Sequence, residues 1–327
     1  MHKATAVGNW LSKWFTLLVI IWAAINYFVP QVSLWIAPKT SILLGIILFG
    51  MGLTLKKADF ARILKRPIPV ILGTVAHYLI MPAIAWILCL IFHLNGMTAV
   101  GVILVGSCPS GTSSSVMAFL AKGDVALDVS IEALSTLLAP VMLPLLLKIY
   151  AGKYVAIPTT QLFLSTLKIV VIPIILGVVV HTLFAKQVEK VTQVLPLVSQ
   201  LSILAIIGAV FAANHNELFS AQTALVIPVV MLHNLSGYGL GFLFSKLIHL
   251  KQPQQKAITF EVGMQDSSLG ATLAMKYFLP AAAIPSTIFS IWHNISGSIL
   301  SSWWRQHTLV TANESATAEL ATDPSTN

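Results

Sequence analysis

Four acidic residues interrupt stretches of sequence that are otherwise long and apolar: Asp128, Glu132, Glu261 and Asp266. A charged side chain at the centre of a bilayer costs at least about 2.5 kcal/mol, so acids in such stretches indicate a function. Asp128 and Glu132 are four residues apart and share a helix face, where two carboxylates repel unless a cation or proton intervenes. Lys168 is the only lysine or arginine in the interior of these stretches, and one lysine cannot neutralise four acids.

The donor types around these acids suit a hard cation. Carboxylate, hydroxyl and backbone carbonyl oxygens favour Na⁺ or a proton, whereas zinc prefers His and Cys. The alternative is a structural ion pair or an acid at the membrane interface, and it has most weight for Asp128, near the start of its stretch. Lone histidines in such stretches are more often hydrogen-bonded structural residues; they are His77, His181, His233 and His293.

The composition places these residues in a membrane protein. The 327 residues are 57% hydrophobic and 9% charged, whereas soluble domains average about 25% charged residues. The mean hydropathy is +0.86. These values predict an all-α polytopic membrane protein. The net charge of +8 could suggest a nucleic-acid partner, but the basic residues are scattered through short loops and act as topology signals.

Ten apolar runs are candidates to span a bilayer. The first is interpreted as a retained helix rather than a cleaved signal peptide, and residues 306–327 are predicted to be a disordered, polar, cytoplasmic tail. The ten runs are 11–30, 34–54, 67–92, 97–120, 125–150, 157–184, 196–214, 221–248, 256–277 and 281–305.

The basic residues predict the orientation of these spans. With a cytoplasmic N-terminus, fourteen of the 19 Lys and Arg residues fall on the cytoplasmic side and four on the other. We therefore expect a multi-pass protein of the inner (plasma) membrane with both termini in the cytoplasm. The loop "LKKADFARILKRP" is the strongest signal, and it could form an interfacial helix.

Spans four and nine resemble each other. "SGTSSSVMAFLA" at 110–121 and "GMQDSSLGATLA" at 263–274 match at five of twelve positions, although chance similarity between stretches of small residues is an alternative. The two segments hold the same place in two halves of five spans, and an odd number of spans forces the halves into opposite orientation. Such inverted repeats are typical of secondary transporters, whose interrupted helices mark the binding site.

The motifs "CPSGTSSS", "EVGMQDS" and "WHNISG" together resemble the bile acid:sodium symporter (BASS) family over all ten spans, and especially bacterial members that carry pantoate or ketopantoate. The resemblance implies ten transmembrane helices in two inverted repeats, about 11–150 and 157–305, forming one transporter unit over 1–305. It implies a core domain of spans 3–5 and 8–10, a panel domain of spans 1, 2, 6 and 7, and broken, crossing helices 4 and 9. Substrate would lie between the domains, which move against each other for alternating access.

The resemblance also implies the site residues. A first Na⁺ site would use Ser114, Ser115, Asp128, Glu132 and Glu261. A second would use His77, Glu261 and Gln265 with the backbone carbonyls of Val262 and Met264. Substrate would contact Thr112, Ser113, Asp266, His293 and Asn294.

The chain departs from its relatives at several of these positions. Relatives commonly carry Asn at Ser115, small hydroxyl residues at Asp128 and Glu132, Gln at His77, and Asn at Asp266. Three carboxylates at the first site would carry a charge of −3 if all were ionised, so at least one is expected to hold a proton. A neutral His77 is a mediocre Na⁺ ligand, and a protonated one repels the ion.

Asp266 adds a further charge next to the predicted substrate. It would repel an anion unless it were protonated, for instance by pairing with His293. We expect coupling to H⁺, alone or with Na⁺, or a substrate with a neutral or cationic head.

These observations predict a symporter of a small organic anion coupled to Na⁺, with or without H⁺, acting as a monomer in the lipid bilayer with no cofactor beyond the coupling ion. A proton-coupled transporter of a neutral or zwitterionic solute is the alternative. A hydrolase using Ser114 and His77 lacks a GxSxG or HExxH motif, so no enzyme is predicted. A channel or sensor would need a symmetric pore or tandem filter, which the sequence does not display.

Overall fold

The computed structural model describes residues 2–55, 67–192, 194–216 and 221–322. Over these ranges the backbone is helical, and it contains no strand beyond one isolated β-bridge. The predicted all-α polytopic class is therefore confirmed, whereas the arrangement of ten spans as inverted repeats stays a prediction. Among the described residues, six helical segments are long and apolar enough to cross a membrane: Pro30–Thr54, Pro67–Ile91, Val125–Ala151, Thr159–Leu183, Leu195–Ala213 and Ala224–Leu247.

The helices are numbered here in chain order. Those of the first half are α1 His2–Phe28, α2 Thr40–Thr54, α3 Pro67–Ile91, α4 Gly96–Ser107, α5 Ser113–Leu120 and α6 Val125–Ala151. Those of the second half are α7 Thr159–Thr166, α8 Ile172–Leu183, α9 Ala185–Val191, α10 Leu195–Ala213, α11 Ala221–Leu247, α12 Gln252–Gly263, α13 Ser267–Tyr277 and α14 Ile284–Thr322. A π-helical segment, Leu167–Val171, joins α7 to α8 and contains Lys168.

The fourth and ninth apolar runs of the sequence, which resemble each other, are both broken helices. The run 97–120 divides into α4 and α5, with Pro109 in the break, where proline has no N–H to continue a helix. The run 256–277 divides into α12 and α13 after Gly263. Each break leaves backbone groups without helical partners, and such groups need a partner when they are buried.

The two breaks provide these partners for each other. Ser110 and Gln265 form an antiparallel β-bridge. A Cβ atom at Gly111 would lie 2.5 Å from the Gln265 carbonyl oxygen, so this close approach requires glycine. The flanking bonds run from Gly111 N to Met264 O at 3.3 Å and from Asp266 N to Pro109 O at 2.8 Å.

The disordered tail predicted over 306–327 stays a prediction. The backbone of α14 is helical as far as Thr322. Its sequence there, "NESATAELA", contains several good helix formers, Ala, Glu and Leu. The basic loop at 56–66, with its predicted interfacial helix, lies outside the described residues.

Candidate functional site

Three acids from two helices meet beside the crossing of the breaks. Asp128 and Glu132 lie on α6 and Glu261 on α12, and one carboxylate oxygen from each lies within 4.8 Å of the others. All three side chains are buried. The four-residue spacing on α6 brings its two acids to one face, as the sequence predicts, and α12 brings Glu261 to the same place just before its end.

Two serines at the start of α5 contact all three acids. Ser114 Oγ lies 2.7 Å from Glu261 Oε1 and 3.1 Å from Asp128 Oδ2, and Ser115 Oγ donates to Glu132 Oε2 at 3.0 Å. A serine hydroxyl has one proton, so Ser114 can donate to only one of its two carboxyl neighbours. The other contact requires a proton on that carboxyl group, or a cation between the oxygens.

Two further oxygens of the cluster have no partner. Asp128 Oδ1 and Glu261 Oε2 are buried without a hydrogen bond. A buried carboxylate oxygen in this state is costly, because it has lost its hydrogen bonds to water and makes none within the protein. The cluster therefore offers only hard oxygen donors, three acidic groups and unmet bonding capacity, which together suit a cation.

His77 connects the two broken helices. Its Nδ1 lies 2.8 Å from the carbonyl oxygen of Glu261, and its Nε2 lies 2.9 Å from that of Cys108. The first carbonyl belongs to α12, and the second belongs to the residue that directly follows α4. Both contacts are to backbone oxygens near a break. A neutral imidazole has one N–H and donates to one of these carbonyls, whereas a protonated ring donates to both.

The other residues predicted for a second cation site lie near this ring. Val262 and Met264 are buried at the second break. Turned to satisfy its hydrogen bonds, the Gln265 amide donates to the carbonyls of Cys108 and Val105, at 2.9 and 3.1 Å. His77 and Gln265 therefore both contact the Cys108 carbonyl.

The predicted substrate residues lie at the starts of the half-helices α5 and α13 and on α14. Thr112 precedes α5, is exposed and makes no capping bond through its side chain; Ser113 is the first residue of α5 and is partly buried. On α14, His293 is buried with Nδ1 unpartnered, and Asn294 donates from Nδ2 to the Ser290 carbonyl at 2.7 Å.

Asp266 has a role that the sequence analysis did not assign to it. Its Oδ1 accepts a hydrogen bond from Leu269 N at 3.0 Å, so Asp266 caps the N-terminus of α13. The suggested pairing with His293 does not occur among the described contacts. Aspartate is a preferred N-cap residue, so its position directly before the second half-helix could have indicated the cap.

Sequence reasoning also missed a polar brace on α11. Asn234 Nδ2 donates to the Gly263 carbonyl at 2.8 Å, and Ser296 Oγ donates to Asn234 Oδ1 at 2.6 Å. The brace therefore links α11 and α14 to the last residue of α12. Its signal was a polar run, "HNLSG", inside an apolar helix.

Comparison with known proteins adds the family. Residues 41–221 match the sequence model described as "Sodium Bile acid symporter family". The chain is 47% identical over 298 residues to "Uncharacterized sodium-dependent transporter YocS" of Bacillus subtilis (strain 168), covering 91% of this chain and 92% of that protein. It is 33% identical over 302 residues to "Probable sodium/metabolite cotransporter BASS1, chloroplastic" of Arabidopsis thaliana, covering 92% and 75%. The chain belongs to the sodium bile acid symporter family.

Proposed function

We propose that the chain is a secondary active symporter that moves a small organic acid across the inner membrane together with Na⁺. The observation that carries this proposal is the meeting of three buried carboxylates with two serine hydroxyls beside the crossing of two broken helices. Such an oxygen-only set suits a hard cation. Relatives named as a sodium-dependent transporter and a sodium/metabolite cotransporter support Na⁺ as the ion.

Protons are proposed to share this site with Na⁺. A single Na⁺ would leave a net charge of −2 among Asp128, Glu132 and Glu261 if all three were ionised, and a buried net charge is strongly unfavourable. Ser114 Oγ contacts two carboxyl groups but has one proton to donate. When no cation is bound, this favours a proton on one of those carboxyl groups. Cation and proton would therefore compete for the same oxygens.

The proposed architecture is two inverted repeats of five spans that form a core and a panel domain. It is supported by the order of the helices, in which the two interrupted helices, α4–α5 and α12–α13, coincide with the predicted fourth and ninth spans. Contacts between the proposed domains include Asn214 Nδ2 to Pro280 O at 3.0 Å and Tyr277 OH with Ser165. These bonds would have to break and re-form during alternating access.

The substrate is proposed to bind where α5 and α13 begin, next to Thr112, Ser113, Asp266, His293 and Asn294. The first turn of α5 presents backbone N–H groups and the positive end of a helix, which favour a carboxylate. An exposed, uncapped start at Thr112 is consistent with such a subsite.

Transport by purified protein in liposomes tests the proposal. Counterflow would be screened with pantoate, ketopantoate, pyruvate, bile salts and amino acids, with the Na⁺ gradient and the pH varied independently. Saturable uptake of an organic acid that follows an imposed Na⁺ gradient is the expected result. Flux that is insensitive to the gradient, or that does not saturate with substrate, would instead indicate a channel.

A further inference from the structure

The two half-helices that begin at the crossing are capped differently. Thr112, before α5, is exposed and makes no capping bond through its side chain. Asp266, before α13, places Oδ1 3.0 Å from Leu269 N. The first residue of α5 therefore has no side-chain cap, although Ser114 and Ser115 behind it contact the three-acid cluster. The start of α13, in contrast, is capped by a carboxylate of the protein itself.

The Asp266 carboxylate is held in place at the crossing. Its backbone N donates to the Pro109 carbonyl at 2.8 Å, three residues before Thr112. The Leu269 N–H and the positive end of α13 favour the ionised form of Asp266, whereas burial opposes it. Asp266 is also partly exposed, unlike the fully buried Glu261, so it can meet a bound molecule.

A second group at the crossing lacks a partner. His293 is 4% exposed and its Nδ1 makes no hydrogen bond. It lies one turn before Gly297 and so shares its helix face. A Cβ at Gly297 would lie 3.2 Å from Met117 of α5 and 3.5 Å from Met264 at the second break. His293 therefore lies on the face of α14 that packs on the crossing, with its ring against Phe289 at 5.3 Å between centroids.

These groups constrain the chemistry of the substrate. A substrate carboxylate fits the uncapped start of α5 but is repelled by Asp266. An ionised carboxylate accepts hydrogen bonds and donates none, so the part of the substrate near Asp266 must be a donor, and a cation is the best complement. A simple monoanion would leave Asp266 facing negative charge.

We propose that Asp266 is a specificity-determining residue that selects small zwitterions, in which an ammonium group accompanies the carboxylate as in an α-amino acid. The inference rests on the proposed function, because it concerns the substrate of the same transporter. It identifies the organic acid as one that carries its own positive charge, and it gives Asp266 a direct contact with that charge.

The test compares acids that differ only at the second carbon. Two carbon skeletons, those of alanine and valine, are each supplied as the 2-amino, 2-hydroxy, 2-oxo and unsubstituted acid. Uptake into proteoliposomes is measured with a Na⁺ gradient, and the melting temperature of the purified protein is measured with each compound. The second readout needs no ion coupling, so a failure of Na⁺-driven transport is distinguishable from a failure of the zwitterion inference.

The wild-type protein should favour the 2-amino acid over the 2-oxo acid by at least about tenfold, because a site built around a donor rejects analogues without it. Asp266→Asn should remove this preference. Asp124→Asn is the matched control, because Asp124 caps α6 by accepting from Leu127 N at 3.1 Å and lies outside the proposed substrate site; it should leave the preference unchanged. Equal uptake and equal stabilisation across the four forms, including none at all, or a preference that survives in Asp266→Asn, would overturn the inference.

Discussion

Ser110 and Gln265 pair in an antiparallel β-bridge where the breaks of two helices meet. The bridge satisfies backbone groups that an interrupted helix would otherwise leave unbonded inside a membrane protein. It also brings α5 and α13 to one location, with the three-acid cluster beside it. The position of the candidate site therefore depends on how closely the two backbones approach.

Gly111→Ala should disturb that approach. The new Cβ would lie 2.5 Å from the Gln265 carbonyl oxygen, a backbone atom that cannot rotate away. We expect a loss of about 1–3 kcal/mol in stability, read as a lower melting temperature, together with weaker Na⁺-driven uptake. Gly239→Ala is the control, because nothing lies within 4 Å of its Cβ position. Wild-type melting and uptake in Gly111→Ala would contradict the account.

His77→Ala should separate the two broken helices. It removes the ring that contacts the carbonyls of Glu261 and Cys108, and a buried acceptor left without a donor costs about 1–3 kcal/mol. We expect a lower melting temperature and a higher Na⁺ concentration for half-maximal uptake. His181→Ala, at a histidine whose Nδ1 already lacks a partner, serves as the comparison. An equal effect of both substitutions would argue against the bracing role.

The Na⁺ dependence of uptake should vary with pH. Protons and Na⁺ compete for the same carboxylates, so the half-saturating Na⁺ concentration should fall as pH rises from about 5 to 8, by up to about tenfold per pH unit where one proton is displaced. The double variant Asp128→Ser, Glu132→Thr removes two of the competing groups and should flatten this dependence. A pH-independent wild type with full Na⁺ dependence would exclude the proton from the mechanism.

Local sequence signals predicted the helix breaks and the buried acids, but not the side chains that bond to the backbone near the breaks. Pro109 and the small residues around it interrupt a helix wherever it lies, and an acid in an apolar run is conspicuous by itself. The contacts of His77 and Asn234 are to backbone groups of distant helices, which leave no trace in the neighbouring sequence. The Asp266 cap was visible locally, yet reasoning about charge alone directed attention to His293.

Glu261 carries the central claim, because its side chain joins the acid cluster while its carbonyl contacts His77. The most direct measurement is Na⁺ binding to the purified protein at constant ionic strength, for the wild type, Glu261→Gln and Glu261→Ala, with far-UV circular dichroism to verify folding. The wild type should bind Na⁺ saturably, and both variants should bind it at least about tenfold more weakly while remaining helical. A folded Glu261→Ala that binds Na⁺ with wild-type affinity and supports wild-type uptake would contradict the account.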